Sequence, residues 1–220
     1  MEGDIMRVSI IGGTGNQGKG LALRLGKAGY QILLGSRSME KAIHAANEIK
    51  EKNPDINIEG LDNFQAADKG DVIILTIPFR SIDEIMEGLH RIVRGKVVVD
   101  TSVALIPGKP PTTERIPEGS VAQKIQELVG GETQVVSAFH TISAYLLQDL
   151  DKELSGDTLV AGDSPEAKEI VMALAEKIGL RPLDAGPLRV SSTLEDLTSL
   201  LIGMNIRFKK KSIGISFSNI

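Results

Sequence analysis

Two rhythms of apolar and polar positions alternate along the chain. Short unbroken apolar runs at residues 8–11, 31–34, 71–78, 96–100 and 134–137 are rich in Val, Ile and Leu, the mark of strands buried on both faces. Between them, apolar residues recur every three or four positions, as on a helix with one buried face. Leu21, Leu23, Leu25 and Ala28 mark a helix that Gly29 stops, and Ala42, Ile43, Ala46 and Ile49 mark another over residues 39–52. Further helices are predicted over 63–68, 82–93 and 120–129. Residues 56–61 alternate as an edge strand would. Strands that alternate with helices predict an α/β fold with a doubly wound parallel sheet.

After about residue 150 the elements become smaller. A strand at 159–161 is followed by Ser164-Pro165-Glu166, a cap, a first-turn proline and an acid suited to a helix start. Ile170, Val171, Leu174 and Ile178 give that helix its inward face, and Gly179 ends it. A strand at 181–184, a long helix over 191–208 and a last alternating strand at 213–217 complete the expectation. Residues 105–119, with Pro107, Pro110, Pro111 and Pro117, read as an irregular loop. The predicted organisation is a Rossmann domain over residues 1–150 and a small C-terminal α/β domain over 151–220.

The first strand runs into Gly12-Gly13-Thr14-Gly15-Asn16-Gln17-Gly18, which contains G-x-G-x-x-G as Gly13, Gly15 and Gly18. Gly13 is expected to allow the strand-to-helix turn, Gly15 to let a pyrophosphate approach the backbone, and Gly18 to let the helix lie close on the strand. The helix start adds free N–H groups and a partial positive charge. The second strand ends in Gly35-Ser36-Arg37, with Lys41 one helical turn on. Such folds commonly place a carboxylate there for a ribose 2′-hydroxyl. A hydroxyl and two cations suit a 2′-phosphate instead, so NADP is the expected dinucleotide. The loop at 76–80 falls at the carboxyl end of a strand beside the first, the switch point where ligands bind. Ile77 and Phe79 are candidate walls of the site. Val103, Ile142, Ser143 and Ala144 fall at further carboxyl ends, and His140 is the best polar candidate among them.

Composition narrows the function classes. The 220 residues are 41% hydrophobic and 25% charged, with mean hydropathy +0.01, values ordinary for a globular protein. A net charge of −4 points to no nucleic-acid or membrane-surface partner. The absence of cysteine excludes disulfides, thiolate nucleophiles and cysteine-ligated metals, and no metal site is expected. No apolar run has transmembrane length, and residues 1–4 are too short and acidic for a secretory leader. Met6 is an alternative start, and a cytoplasmic location is expected. With five Phe, two Tyr and no Trp, base-stacking platforms are not expected.

Several blocks together carry a family resemblance: Gly12-Gly13-Thr14-Gly15-Asn16, Gly35-Ser36-Arg37, Leu75-Thr76-Ile77-Pro78, Val136-Ser137-Ala138-Phe139-His140-Thr141, and Arg181-Pro182-Leu183-Asp184-Ala185-Gly186-Pro187-Leu188. The glycine turn is shared by many dehydrogenases, whereas the last two blocks are much more specific. Over nearly its whole length the chain resembles the NADPH:coenzyme F420 oxidoreductases, or F420-dependent NADP reductases, of methanogenic archaea. The resemblance implies NADP and the 5-deazaflavin coenzyme F420 as small-molecule partners, the deazaflavin in a cleft between two domains, and a homodimer. It also implies hydride transfer between two flat rings, a reaction that asks the protein for positioning more than for reactive groups. His140 would then donate a hydrogen bond to the deazaflavin or guard the site. Its alternative is a satisfied structural histidine. Thr193 and Leu197 are candidates for the deazaflavin side. The run Lys209-Lys210-Lys211 departs from the family and would suit the deazaflavin's polyglutamate tail, or else is a solvated face.

Two other functions remain open at this level. An NADP-dependent imine or keto reductase could use the same scaffold, although such enzymes bring a large helical C-terminal domain and only about seventy residues follow Leu150. A non-catalytic NADP-sensing regulator would fit the lack of an obvious acid/base set.

Overall fold

A computed structural model describes residues 5–220. Residues 1–4, expected to be too short and acidic for a leader, lie outside the described residues. In chain order the elements are β1 (Arg7–Ile11), α1 (Asn16–Lys27), β2 (Gln31–Ser36), α2 (Met39–Lys52), β3 (Ile58–Asp62), α3 (Asn63–Lys69), β4 (Val72–Leu75), α4 (Ile82–Leu89), β5 (Val97–Asp100), β6 (Leu105–Ile106), β7 (Thr112–Thr113), α5 (Val121–Val129), β8 (Gln134–Ser137), α6 (Ala144–Gln148), β9 (Asp157–Gly162), α7 (Pro165–Lys177), β10 (Arg181–Gly186) and α8 (Ser191–Arg207).

The helix starts follow from the residues placed there. Ser38, Ser120 and Ser164 accept the N–H groups of Lys41, Gln123 and Ala167, and Asp62 accepts those of Phe64 and Gln65. Eight strands form one sheet in the order β10-β9-β8-β5-β4-β1-β2-β3. From β8 to β3 every pairing is parallel, and β1 lies between β2 and β4, so the strand order reverses beside β1. The expected α/β class and doubly wound Rossmann sheet are present. Strands β9 and β10, from the segment expected to form the small C-terminal domain, extend the same sheet, with β9 antiparallel to β8. Apolar cores cover both faces. One contains Ile10, Leu21, Leu25, Phe139 and Val171, and the other Ile11, Ile73, Met86 and Ile125.

Four expectations are corrected. Residues 213–217 do not form a strand. Among the described residues, one backbone bond joins them to β9, from Asp157 N–H to Ile215 O at 2.8 Å. Side chains make the other links, Asp157 Oδ2 accepting Phe217 N–H and Arg181 donating to Phe217 O, so no ladder forms. Ile43 points outward, and Ala45 takes its place on the buried face of α2. The region 105–119 contains the small antiparallel hairpin β6–β7. Helix α4 stops at Leu89, and turns lead on to β5.

Helix α6, which no periodic signal predicted, is pinned to α1. Arg24 donates to the carbonyls of Leu146, Leu147, Asp149 and Lys152, and a Cβ at Gly20 would lie 2.5 Å from Leu147 Cβ. This packing brings the segment after β8 back over the switch point.

Candidate functional site

The glycine turn divides its work differently from the expectation. Gly12, not Gly13, takes the left-handed conformation, at φ +72°, and a Cβ there would meet Ile77 Cγ2 at 2.6 Å. Gly13 instead permits close packing, since its Cβ would lie 2.5 Å from Leu34 Cδ1. Gly18 would collide with Gly13 Cα at 2.5 Å. Gly15 differs from all three. Its Cβ would meet only Gly12 O, at 3.7 Å, so the space over it is open. Gly15 is also the N-cap of α1 and supplies no side-chain acceptor, which leaves first-turn N–H groups for an anion. Asn63 Oδ1 accepts Gly12 N–H at 3.2 Å, and Thr76 Oγ1 donates to Ile11 O at 3.0 Å, fixing the turn from below.

A pocket of about 310 Å³ opens over this turn, lined by Gly12, Thr14, Gly15, Ser36, Arg37, Ser38, Lys41, Asn63 and the loop after β4. Arg37 and Lys41 are exposed, and among the described residues neither has an ion-pair partner. Free cations at one end and open backbone at the other match a dinucleotide with a phosphate on its ribose.

A second cleft of about 680 Å³ shares Thr76, Ile77 and Pro78 with that pocket. Gln17, Phe79, Val103, His140, Ile142, Ser143, Ala144 and Tyr145 line it from the carboxyl ends of the sheet. Helix α8 closes the other side with Thr198, Leu201, Ile202, Asn205 and Ile206, and Lys210, Lys211 and Ile213 stand at its mouth. The lining is mostly apolar. The floor is knit by hydrogen bonds: Thr101 Oγ1 to Leu75 O at 2.9 Å, Ser102 Oγ to Ile77 O at 3.1 Å, and Thr198 Oγ1 to His140 O at 3.0 Å. Phe139 is fully buried at φ +62°, a conformation that costs a non-glycine residue about 1–3 kcal/mol. Its carbonyl accepts Gln17 Nε2–H at 3.2 Å, tying the segment after β8 to α1 beside the cleft.

His140 is 7% exposed, and burial pushes its pKa down to about 4, so the ring is neutral near pH 7. Its Nε2 lies 3.1 Å from Ser102 O, which makes Nε2–H the donor and Nδ1 the bare nitrogen. That donor is committed to the floor, and the buried Nδ1 has no partner among the described residues. The arrangement makes His140 part of the floor rather than a donor to a ligand.

Residues 7–104 match the family model described as "NADP oxidoreductase coenzyme F420-dependent". The chain is 42% identical to the F420-dependent NADP reductase of Methanocaldococcus jannaschii, over 98% of this chain and 99% of that protein. It is 37% identical to the F420-dependent NADP reductase of Methanothermobacter thermautotrophicus, over 98% of this chain and 96% of that one. The chain belongs to the F420-dependent NADP reductase family. A solved Arthrobacter sp. FB24 structure named for F420-dependent NADP reduction overlays with a TM-score of 0.83, covering 97% of this chain and 100% of that one. At 20% identity it speaks for the fold alone.

Within this family member, the predicted residues fall into three groups. Thr14, Gly15, Ser36, Arg37 and Lys41 line the smaller pocket, and Ile77 lines both cavities. Gln17, Phe79, Val103, His140, Ile142, Ser143 and Ala144 line the cleft. Gly13 lies buried beneath the turn, and Asn16 faces a separate hollow with Tyr145, Gln148 and Asp149. Thr193 and Leu197 line neither cavity. The helix presents Thr198, Leu201, Ile202 and Asn205 instead, one to two turns further on. Their helical spacing was visible, but nothing local says which face of a mixed helix meets a cleft. Asn63 was also missed, because its bond to Gly12 spans 51 positions of chain.

Among the described residues no group of three or more His, Cys, Asp or Glu could hold a metal ion, and no helix is long and apolar enough to cross a membrane.

Proposed function

We propose that the chain catalyses reversible hydride transfer between NADP(H) and coenzyme F420. The observation that carries this is the pair of cavities meeting at Thr76, Ile77 and Pro78: one with a glycine turn and free cations, the other broad, apolar and poor in reactive groups. Both fit their proposed occupants. Open backbone at Gly15, with Arg37 and Lys41 lacking an ion-pair partner among the described residues, suits a phosphorylated dinucleotide, and the cleft has the size of ligand sites that bury a flat molecule. When bound, the nicotinamide and the deazaflavin supply the hydride donor and acceptor between them.

The protein's part is placement. The cores behind Gly13 and Gly18 hold the turn rigid. Ile77 and Pro78 wall the place where the cavities join, Val103 and Ile142 make the cleft apolar, and His140, Ser102 and Thr198 fix the floor. Such a scaffold has to bring the reacting carbons to about 3–3.5 Å, which is worth several orders of magnitude in rate. Residues 1–150 would supply the dinucleotide half, and residues 151–220, through α8 and Lys209 to Lys211, the far wall of the cleft. We also place the protein in the cytoplasm as a homodimer. The exposed apolar Leu200, Ile206 and Phe208 at the far end of α8 offer a surface for a second copy.

Mixing purified protein with NADPH and oxidised F420 decides the matter. Loss of the deazaflavin's visible absorbance at the rate of NADPH oxidation supports the reading, and an unchanged spectrum rejects it. Tight NADPH binding with no turnover of any acceptor would favour the sensing regulator.

A further inference from the structure

Residues 209–217 follow α8 as a stretch that is neither helix nor strand. Lys209 turns the chain away from the helix in a left-handed conformation, at φ +52°, and Lys210, Lys211 and Ile213 then line the cleft. Only Ile213 and Ile215 in this stretch are half-buried, and the rest is exposed. With so little apolar burial, the stretch depends on polar links to stay where it is.

Those links fall at two places. Beside the cleft, Asn205 Oδ1 accepts Ile213 N–H at 3.1 Å and Ser143 Oγ donates to Lys211 O. Outside the cleft, at the start of β9, Asp157 N–H donates to Ile215 O at 2.8 Å, Asp157 Oδ2 accepts Phe217 N–H, and Arg181 Nη2 donates to Phe217 O. Arg181 Nε and Nη2 also meet the two carboxylate oxygens of Asp157 at 2.7 Å each. Asp157 is 1% exposed, so this two-point pair is a rigid block. Gly156, at φ +112°, lets the stretch come close, since a Cβ there would lie 2.9 Å from Ile215 O. The pair is not needed to join β9 to β10, which are already paired in register as far as Ala161 and Gly186. Neither of its members lines the cleft, yet Asp157 O accepts Thr141 Oγ1–H at 3.1 Å, and Thr141 does line it.

We propose that residues 209–217 are a strap forming the outer wall of the F420 cleft, and that Asp157 and Arg181 are positioning residues that fix its far end. The identity of the ligand rests on the hydride-transfer reading. With both ends held, Lys210, Lys211 and Ile213 are kept facing the cleft before F420 arrives. With the far end free, ordering the strap becomes a cost of binding F420. No strap residue lines the pocket over Gly15, so NADPH should be indifferent.

The test uses the full chain and two variants. Arg181→Gln breaks the anchor but leaves a buried carboxylate without its partner. Phe217→Pro removes the N–H that Asp157 accepts and leaves the ion pair intact, so it decides if the first variant does not fold. Hydrogen exchange read by mass spectrometry should speed up in residues 209–217 of both variants, with β5, β4 and β1 unchanged. Affinity for F420, measured as KM and by equilibrium titration, should weaken about tenfold, while the KM for NADPH stays within about twofold and kcat within about threefold. Arg181→Lys, which keeps the charge but not the fork, should fall between. In the wild type, F420 should slow exchange in residues 209–217 and NADPH alone should not. A freed strap with unchanged F420 affinity overturns the proposal, as does exchange in 209–217 that moves in neither variant. An equal loss of NADPH and F420 affinity also overturns it, because that is general loosening. F420 that binds, and binds more weakly in the variants, but is never reduced would sink the hydride-transfer reading and leave the strap standing.

Discussion

The dinucleotide pocket and the cleft beside it are built on opposite plans. The pocket over Gly15 is assembled mainly from two short stretches, residues 12–15 and 36–41, and it works through backbone, hydroxyls and two cations. The cleft draws on residues from Gln17 to Ile213, and most of its surface is apolar. A site made of contiguous backbone tolerates almost no change in shape. A site made of packed side chains should tolerate exchange within its wall and respond to what shifts the wall as a whole. The contrast can be broken by mutation, and the glycine turn offers the sharpest attempt.

Gly15→Val and Gly18→Val place the same side chain three residues apart. At Gly18 the new Cβ would sit 2.5 Å from Gly13 Cα and 2.7 Å from Thr76 Oγ1, so α1 must leave the sheet. Overpacking of that kind costs about 1–3 kcal/mol or more, and Tm should fall by several degrees. At Gly15 the Cβ enters open space and the backbone, at φ −75° and ψ 170°, is allowed to any residue. Tm should stay within about two degrees of wild type, while NADPH affinity drops by roughly a hundredfold or more because the side chain fills the anion's position. Calorimetry and dinucleotide titration separate the two. A Gly15→Val protein that binds NADPH normally would remove the pocket from this turn.

Next in size is Arg37→Asp. The guanidinium is exposed and has no partner among the described residues, so its loss breaks no contact with them, and stability should not move measurably. Losing a charge-assisted contact to the 2′-phosphate costs about 1.5–3 kcal/mol, on the order of ten- to a hundredfold in the KM for NADPH. NADH should improve, because a carboxylate now accepts from a free 2′-hydroxyl. The KM for F420 should be unaffected if the two sites are as separate as their construction suggests. An unchanged preference for NADPH would mean that another group reads the phosphate.

These two sites also differ in how far the sequence revealed them, for the same physical reason. Parallel strands announce themselves as apolar runs, and a turn that needs glycine announces itself as glycine, so the parallel part of the sheet and the pocket stretches 12–15 and 36–41 were legible, whereas Asn63, reached across 51 positions of chain, was not. The division of labour between Gly12 and Gly13 was not, because adjacent glycines look alike until φ is known. The wall on α8 was placed too early, at Thr193 and Leu197, since helical period fixes a face but not what that face meets. Residues 213–217 alternate like a strand. The Asp157 and Arg181 side chains took the Phe217 N–H and C=O that a ladder would have used.

The smallest effect concerns Lys210 and Lys211, and it tests whether the cleft keeps any of the pocket's dependence on charge. Both lysines are exposed at the cleft mouth and have no ion-pair partner among the described residues, and Lys211 Nζ lies 5.1 Å from the Tyr145 ring centroid. A flexible anionic tail meeting them would stay hydrated, so each contact should resemble an exposed ion pair, worth about 0.2–1 kcal/mol and screened by salt. Replacing both with alanine should therefore raise the KM for F420 only about two- to tenfold at low ionic strength. The effect should vanish as salt is added, and a deazaflavin lacking the anionic tail should show none of it. If the tail-less compound suffers equally, the lysines act by packing against Tyr145 and shaping the mouth, and the cleft is apolar from floor to rim. If instead the double variant loses as much as Arg37→Asp does, and retains that loss in salt, the tail is bound in a desolvated site and the two halves of the molecule are less different than their construction implies.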